Sequence, residues 1–274
     1  MAASIKDAVI LRNGVKMPWL GFGVAYIDAD KVTDSVKTAI SAGYRSIDTA
    51  TDYGNESEVG RAVKESGIPR EELFITTKVW NADHGYDNAM RAFEKSLKVL
   101  GMEYVDLYLI HWPVKGKYLE TWKAFEKLYE EGAVRAIGVS NFHIHHLEKL
   151  MKNSNMPPMV NQVELHPLLN QKDLRDFCER NNIQIEAWSP LMQGSLTIPL
   201  LTDISRKYGK TPAQVVLRWH LQNRVVVIPK SSRSHRILEN ADIFDFRLTA
   251  EDMEAIDGLN EDRRLGPDPD NFDF

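Results

Sequence analysis

Cysteine is nearly absent from this chain. Cys178 is the only one in 274 residues, so no intramolecular disulfide can form and nothing in the thiol content calls for an oxidising compartment. Long apolar runs are missing as well: no stretch approaches the roughly 18 apolar residues a membrane-spanning helix needs. The opening MAASIKDAVI has no basic segment followed by an apolar core, which argues against a secretory leader. The expected location is the cytoplasm, with no membrane partner. Positive charge is not concentrated either; the formal net charge is -5 and Lys and Arg are spread along the chain, which argues against a nucleic-acid partner. No Pro/Gly/Ser-rich or charge-dense linker divides the middle of the sequence. With 43% hydrophobic residues there is material for one large core. The expectation is a single domain over residues 1–274, acting as a monomer.

What is present is alternation. Residues 7–19, DAVILRNGVKMPW, contain two short β-prone runs around Asn13-Gly14, the pair that tolerates a tight hairpin turn. This hairpin is expected to act as a lid or plug. Eight strand-like runs follow, at 19–24, 46–50, 73–80, 105–112, 136–140, 159–164, 183–189 and 225–230. Between them apolar residues recur at helical spacing, as in Val32, Val36, Ala39 and Ile40, in Met90, Phe93, Leu97 and Leu100, in Trp122, Phe125, Leu128 and Tyr129, and in Leu174, Phe177 and Cys178. Gly43, Gly101 and Gly132 stop helical runs, and Thr211-Pro212 opens another. Strand and helix alternating eight times predict parallel strands, and the number favours a (β/α)8 TIM barrel preceded by an N-terminal β-hairpin. An open doubly wound sheet is the structural alternative.

A missing motif helps to choose. An open dinucleotide fold carries Gly-x-Gly-x-x-Gly after its first strand, but here Gly21-Phe22-Gly23 is followed by Tyr26 where the third glycine belongs. Polar residues instead close strand after strand: Asp48, Lys78, His111, Ser140 with Asn141, Gln162, Ser189, and Lys230 with Ser231. In a barrel those ends meet on one rim, where active sites are built.

Several long segments, in order, carry a resemblance: GYRSIDTATDYGNESEVG, ITTKVW, DLYLIHWP, AIGVSNF, VNQVELHP, AWSPL and IPKSSRSHRILEN. Together they resemble the aldo-keto reductases, most closely the short bacterial members that reduce small aldehydes and dicarbonyls. The resemblance runs from the hairpin to the tail. It implies NADPH/NADP+ as cofactor, a small-molecule carbonyl as substrate, and Asp48, Tyr53, Lys78 and His111 as catalytic residues, with Tyr53 the proton donor.

The chemistry is consistent with that assignment. A tyrosine of ordinary pKa, about 10, is a poor donor near neutrality, and a nearby ammonium such as Lys78 would lower it. A lysine inside a barrel mouth needs a carboxylate to stay charged, and Asp48 ends the preceding strand. His111 could hydrogen-bond the carbonyl oxygen and orient it. Singly, Asp48 could be a helix cap, Lys78 an ion-pair partner, and His111 a satisfied core histidine.

The resemblance further implies that Ser140, Asn141 and Gln162 hold the carboxamide, that Trp188 stacks on the nicotinamide, and that Gly23 and Val24 meet its ribose. Ser189, Pro190 and Leu191 would follow the pyrophosphate. Lys230, Ser231 and Arg236 would surround the adenosine 2′-phosphate, with Glu239 and Asn240 at the adenine; a lysine and a forked guanidinium suit a phosphate monoester and favour NADPH over NADH. Met192-Gln193-Gly194 is expected to form a loop over the cofactor.

Trp80, Trp112, Ala25 and Asp52 are the expected substrate-pocket residues. Ala25 stands where the family commonly has a large aromatic, and Thr51-Asp52 where apolar residues are common, which predicts a wider, more acidic pocket. The competing expectation is that Tyr26 refills the space and Asp52 faces solvent. A short segment after Trp112-Pro113 and a short tail, LGPDPDNFDF, suggest an open, permissive mouth. His143, His145 and His146, within HIHHLEKL, read as a helix start without carboxylate support for a metal, so no metal is expected. His166 and His220 read as structural. Two rival functions remain: an NADPH-binding redox-sensing or regulatory barrel with little turnover, and a metal-dependent barrel hydrolase.

Overall fold

The apolar runs are short, and so are the strands they form. The computed structural model describes residues 2–274. A hairpin comes first: β1 (Ala8–Ile10) pairs antiparallel with β2 (Lys16–Pro18). Gly14 in its turn has φ 87°, a conformation that an L side chain resists. Then follow β3 (Gly21–Gly23), β4 (Ser46–Asp48), β5 (Phe74–Val79), β6 (Val105–Ile110) and β7 (Val134–Ser140). β8 (Val160–Glu164), β9 (Gln184–Trp188) and β10 (Val226–Val227) complete the set. These eight lie side by side in chain order, and every paired neighbour is parallel.

Closure comes from two backbone bonds across the seam. Val227 N–H donates to the Trp19 carbonyl at 3.1 Å and Gly23 N–H to that of Pro229 at 3.3 Å, tying β10 to β3. The sheet is thus a barrel, and the open doubly wound alternative falls away. Every strand-like run in the sequence holds one strand. The runs overshoot because their last residues, such as Ala50, Trp80, His111 and Ser189, leave the ladder at the rim.

Among the described residues ten helices surround the barrel: α1 (Ala29–Ser41), α2 (Glu56–Glu65), α3 (Tyr86–Leu100), α4 (Tyr118–Glu130), α5 (Ile144–Lys152), α6 (Lys172–Arg180), α7 (Pro199–Tyr208), α8 (Pro212–Gln222), α9 (Ser234–Ala241) and α10 (Ala250–Asp257). Their buried faces are the periodic apolar sets: Val32, Val36, Ala39 and Ile40 on α1, and Trp122, Phe125 and Leu128 on α4. Thr211 caps α8 as expected, accepting from the Gln214 N–H while the Gln214 side chain answers to the Thr211 N–H, with Pro212 in the first turn. No helix among the described residues is long and apolar enough to cross a membrane.

The hairpin is a plug rather than a lid over the rim. Asn13 Nδ2 donates to the Arg135 carbonyl at 2.9 Å, and Arg135 stands at the start of β7. The hairpin therefore covers the end of the barrel opposite Ser140 and the other strand-end polar residues.

Candidate active site

Lys78, the penultimate residue of β5, projects into the barrel mouth and is fully buried. Its ammonium has three protons and three partners. It donates to Asp48 Oδ1 at 2.6 Å, to the Thr49 carbonyl at 3.0 Å and to the Tyr53 hydroxyl oxygen at 3.2 Å. Asp48 is placed by the last position of β4. Tyr53 is placed by a single turn, Thr51–Tyr53, which is followed by Gly54 at φ 64°. That turn is fixed to β5, because Thr51 Oγ1 donates to the Lys78 carbonyl at 3.0 Å. Asn55 braces it from below, accepting from Thr49 Oγ1 at 2.8 Å and donating to the Val24 carbonyl at 3.0 Å. His111, just beyond β6, lies edge-on to the Tyr53 ring at 5.7 Å between centroids.

Burial and charge compete at each group. Burial alone would strip the proton from Lys78, but attraction to Asp48 and Tyr53 and hydrogen bonds to both outweigh it and hold the group above the ordinary lysine range. Burial drives His111 well below the usual histidine range, and the Lys78 charge and His84 push the same way; His111 is a neutral imidazole. Tyr53 departs from the expectation that Lys78 would lower it. Desolvation of the phenolate is the larger effect and raises the hydroxyl above its usual value, with Lys78 pulling back only in part. The phenol therefore stays protonated at neutral pH.

Beneath this group lies a buried residue that the strand-end pattern did not single out. Gln162 Nε2 donates both to Asp48 Oδ2 at 2.8 Å and to Glu186 Oε2 at 2.7 Å. Gln162 and Glu186 sit opposite each other in the β8–β9 register. Glu186 Oε1 is buried with no partner, which suits a neutral acid better than a carboxylate. Burial, reinforced by the Asp48 charge, pushes Glu186 up to about 8. Its signal in the sequence is a lone acid inside IQIEAWS.

A stability prediction follows from Glu186. Between the carboxylate range of the unfolded chain, about 4.3, and about 8, the folded protein holds a proton that the unfolded chain has lost. Stability from this group is thus complete at the acid end and declines as pH rises through that window. Glu186→Gln should remove the slope. Its Tm advantage over wild type should grow from pH 5 to pH 8 by several degrees, as each kcal/mol moves Tm by about 2–4 °C in a domain of this size. Melting curves whose Tm values stay parallel across that range would refute the assignment.

Along the rim the residues proposed for the cofactor form one linked set. Ser140 Oγ donates to the Gln162 carbonyl at 2.9 Å, Asn141 Nδ2 to the His111 carbonyl at 2.9 Å, and Trp188 Nε1 to Asn141 Oδ1 at 2.8 Å. These bonds set the Trp188 ring, which stays partly exposed. Gly23, the last residue of β3, and Val24 after it are buried. The loop after β9 is strained: Ser189, Met192 and Gln193 have φ of 47°, 51° and 53°. Pro190 and Leu191 lie within it, and His220 reaches the Pro190 carbonyl at 3.3 Å. Farther along, Ser231 and Asn240 are buried while Lys230 and Arg236 are exposed. Among the described residues neither cation is paired with a carboxylate. Glu239 already accepts from Thr211 Oγ1 at 2.7 Å. A stackable indole at one end and two unpaired cations at the other fit an extended phosphorylated dinucleotide.

The mouth differs from the open pocket expected. Next to Ala25, the largely exposed Tyr26 leans on the catalytic turn: its ring lies 5.4 Å from that of Tyr53 and its hydroxyl donates to Asp52 Oδ2 at 3.0 Å. Asp52 is thus held by Tyr26. The short tail also covers more than its length suggests. Phe274 stacks on Trp80 at 5.9 Å and meets Trp112 edge-on at 5.2 Å, and Phe272 lies 5.2 Å from Trp112. Asn81 Nδ2 donates to the Phe274 carbonyl at 3.0 Å. Glu164, itself 3.0 Å from His166 Nε2, accepts from the Leu265 N–H at 2.6 Å and anchors the tail's start. Three aromatic contacts wall the mouth, so permissiveness does not follow from tail length.

Comparison with known proteins agrees with this geometry. Residues 18–261 match the model of the Aldo/keto reductase family. Glyoxal reductase of Bacillus subtilis is 60% identical, with all of both chains covered. Methylglyoxal reductase DkgA of Escherichia coli is 48% identical over 96% of each chain. A variant of Gox0644 solved in complex with NADPH superposes with a TM-score of 0.94, at 44% identity, covering all of both chains.

Proposed function

Because the chain belongs to the aldo/keto reductase family, we propose that it reduces small aldehydes and α-dicarbonyls, of the glyoxal and methylglyoxal kind, to alcohols with NADPH. One observation carries the assignment of roles. All three Lys78 protons are committed to Asp48, the Thr49 carbonyl and the Tyr53 oxygen, which leaves the Tyr53 O–H free for a substrate oxygen.

When bound, NADPH supplies the hydride for the carbonyl carbon. Tyr53 gives its proton to the carbonyl oxygen as negative charge builds there. The phenolate left behind is held by the Lys78 ammonium, and Asp48 keeps that ammonium charged. His111, neutral and with no second role, hydrogen-bonds the carbonyl oxygen and fixes its direction. Water is limited at the mouth by Trp80, Trp112, Tyr26 and the tail aromatics, and the Tyr26–Asp52 pair borders the substrate. The relatives are named for turnover rather than sensing, which favours an enzyme over a regulatory barrel.

For the cofactor, Ser140, Asn141 and Gln162 would take the carboxamide, Trp188 the nicotinamide face, and Gly23 and Val24 its ribose. Ser189, Pro190 and Leu191 would follow the pyrophosphate, and Glu239 and Asn240 the adenine. Lys230, Ser231 and Arg236 would bind the 2′-phosphate. The protein would work as a one-domain cytoplasmic monomer. Among the described residues, the exposed side chains of Ile10, Val99 and Leu238 lie on separate elements, the hairpin, α3 and α9, while those of Tyr26 and Phe274 lie at the mouth, a scatter that supports a monomer.

The test is consumption of NADPH absorbance with glyoxal and methylglyoxal, repeated with NADH and with Arg236→Ala. NADPH should be preferred, and Arg236→Ala should raise the KM for NADPH at least 10-fold, a charge-assisted phosphate contact being worth about 1.5–3 kcal/mol, while NADH kinetics stay within a factor of two. Equal loss with both cofactors would remove Arg236 from the phosphate.

A further inference from the structure

The structure supplies what the histidine run lacks. HIHH opens α5, and the carboxylate next in sequence, Glu148, is not part of the cluster; Asp270, 127 residues after His143, arrives from the tail. His143 Nδ1 is 2.9 Å from Asp270 Oδ2, while His145 Nε2 and His146 Nε2 are 3.0 Å and 3.4 Å from Oδ1. One ligand atom from each of the four residues lies within 4.8 Å of the others.

We propose that His145, His146 and Asp270 form a site for a borderline divalent transition metal, Zn²⁺ or Ni²⁺, that fastens the C-terminal tail to α5. Two imidazoles and one carboxylate, with water completing the shell, are the donor set such ions prefer over Mg²⁺ or Ca²⁺. His143 serves as a positioning residue. The Arg264 guanidinium, always a donor, sits 2.8 Å from its Nε2, so its Nδ1 carries the hydrogen and is directed at Asp270 Oδ2. This fixes the carboxylate from behind, as outer-shell partners of metal ligands do, and leaves Oδ1 facing the other two rings.

Binding requires a tautomer change. His146 Nδ1 now accepts the His143 backbone N–H at 3.2 Å, so its Nε2 carries the hydrogen. The ion takes the Nε2 lone pair, the proton moves to Nδ1, and that one capping bond is given up. His145 is exposed, and its Nε2 already faces Asp270 Oδ1. The site lies outside the catalytic group but not out of its reach. Phe272 and Phe274, on the same tail, touch Trp112 and Trp80, so an ion holding Asp270 would steady the aromatic wall of the mouth.

The experiment is calorimetric titration of chelator-stripped, full-length protein with Zn²⁺ alone and Ni²⁺ alone. The expected result is one equivalent bound, with affinity falling at least 10-fold in His146→Ala and in the isosteric Asp270→Asn, and about 10-fold in His143→Ala. Asp203→Ala, on α7, should bind as wild type does. Tail amides 268–274 should gain hydrogen-exchange protection on adding Zn²⁺ to wild type and not to Asp270→Asn. Absence of stoichiometric binding of both ions, or binding that survives both His146→Ala and Asp270→Asn, overturns the site. Binding without tail protection overturns the fastening.

Discussion

Tyr53→Phe is expected to lower turnover of a carbonyl substrate by about 100- to 10,000-fold, the range for removing a general acid, while NADPH affinity stays within about threefold. The reason is local. The phenol oxygen accepts from Lys78, and its own hydrogen, unlike the three of the Lys78 ammonium, is not already committed. Removing one oxygen takes the proton from the reacting carbonyl but alters neither the ring packing against His111 nor any residue proposed to hold the dinucleotide. Steady-state kinetics together with fluorescence titration of NADPH would separate the two effects. Loss of both in parallel would mean that the ring supports the rim rather than the chemistry, and unchanged turnover would remove Tyr53 from the mechanism.

Lys78→Met should damage both fold and activity. Lys78 and Asp48 are buried together, 0% and 2% exposed in their side chains, at 2.6 Å. A methionine of similar volume fills the space but leaves the buried Asp48 carboxylate without its counter-charge, its remaining partner being the neutral Gln162 amide. Breaking one side of such a pair typically costs about 3–5 kcal/mol. Turnover should fall at least as far as in Tyr53→Phe, because the phenolate left after proton transfer loses its counter-charge. The double change Lys78→Met with Asp48→Asn should recover much of the stability and none of the activity. Chemical denaturation of the three variants checks this. If the double variant is no more stable than Lys78→Met alone, the unpaired carboxylate is not the source of the loss.

The barrel is legible in the sequence because its signal is repeated: eight apolar runs alternate with helical periodicity, seven of them carry polar residues at or near their ends, and each run contains a strand. Asp48, Lys78 and His111 were legible for the same reason, as polar residues at strand ends. Tyr53 was not legible from pattern, since it stands in a one-turn helix beyond β4, and only the likeness of GYRSIDTATDYG to known reductases singled it out. Its titration was misjudged because a charge is visible in sequence and desolvation is not. Glu186 was missed as a mid-strand residue, although an acid between apolar neighbours is a signal in its own right. The tail is short in sequence, which by itself suggests an open mouth. Its contacts with Trp80, Trp112 and the α5 histidines join residues far apart along the chain, and nothing local in PDPDNFDF announces them.

The most direct test of the account is the pH dependence of kcat in both directions for the wild-type enzyme. Reduction needs the protonated phenol and alcohol oxidation needs the phenolate, and burial raises the Tyr53 hydroxyl. Reduction should therefore hold level through neutrality and decline only on the alkaline side, while oxidation climbs over the same range. A reduction rate that falls between pH 5 and 8, the interval where an imidazole titrates, would place the proton on His111 and contradict the role given to Tyr53.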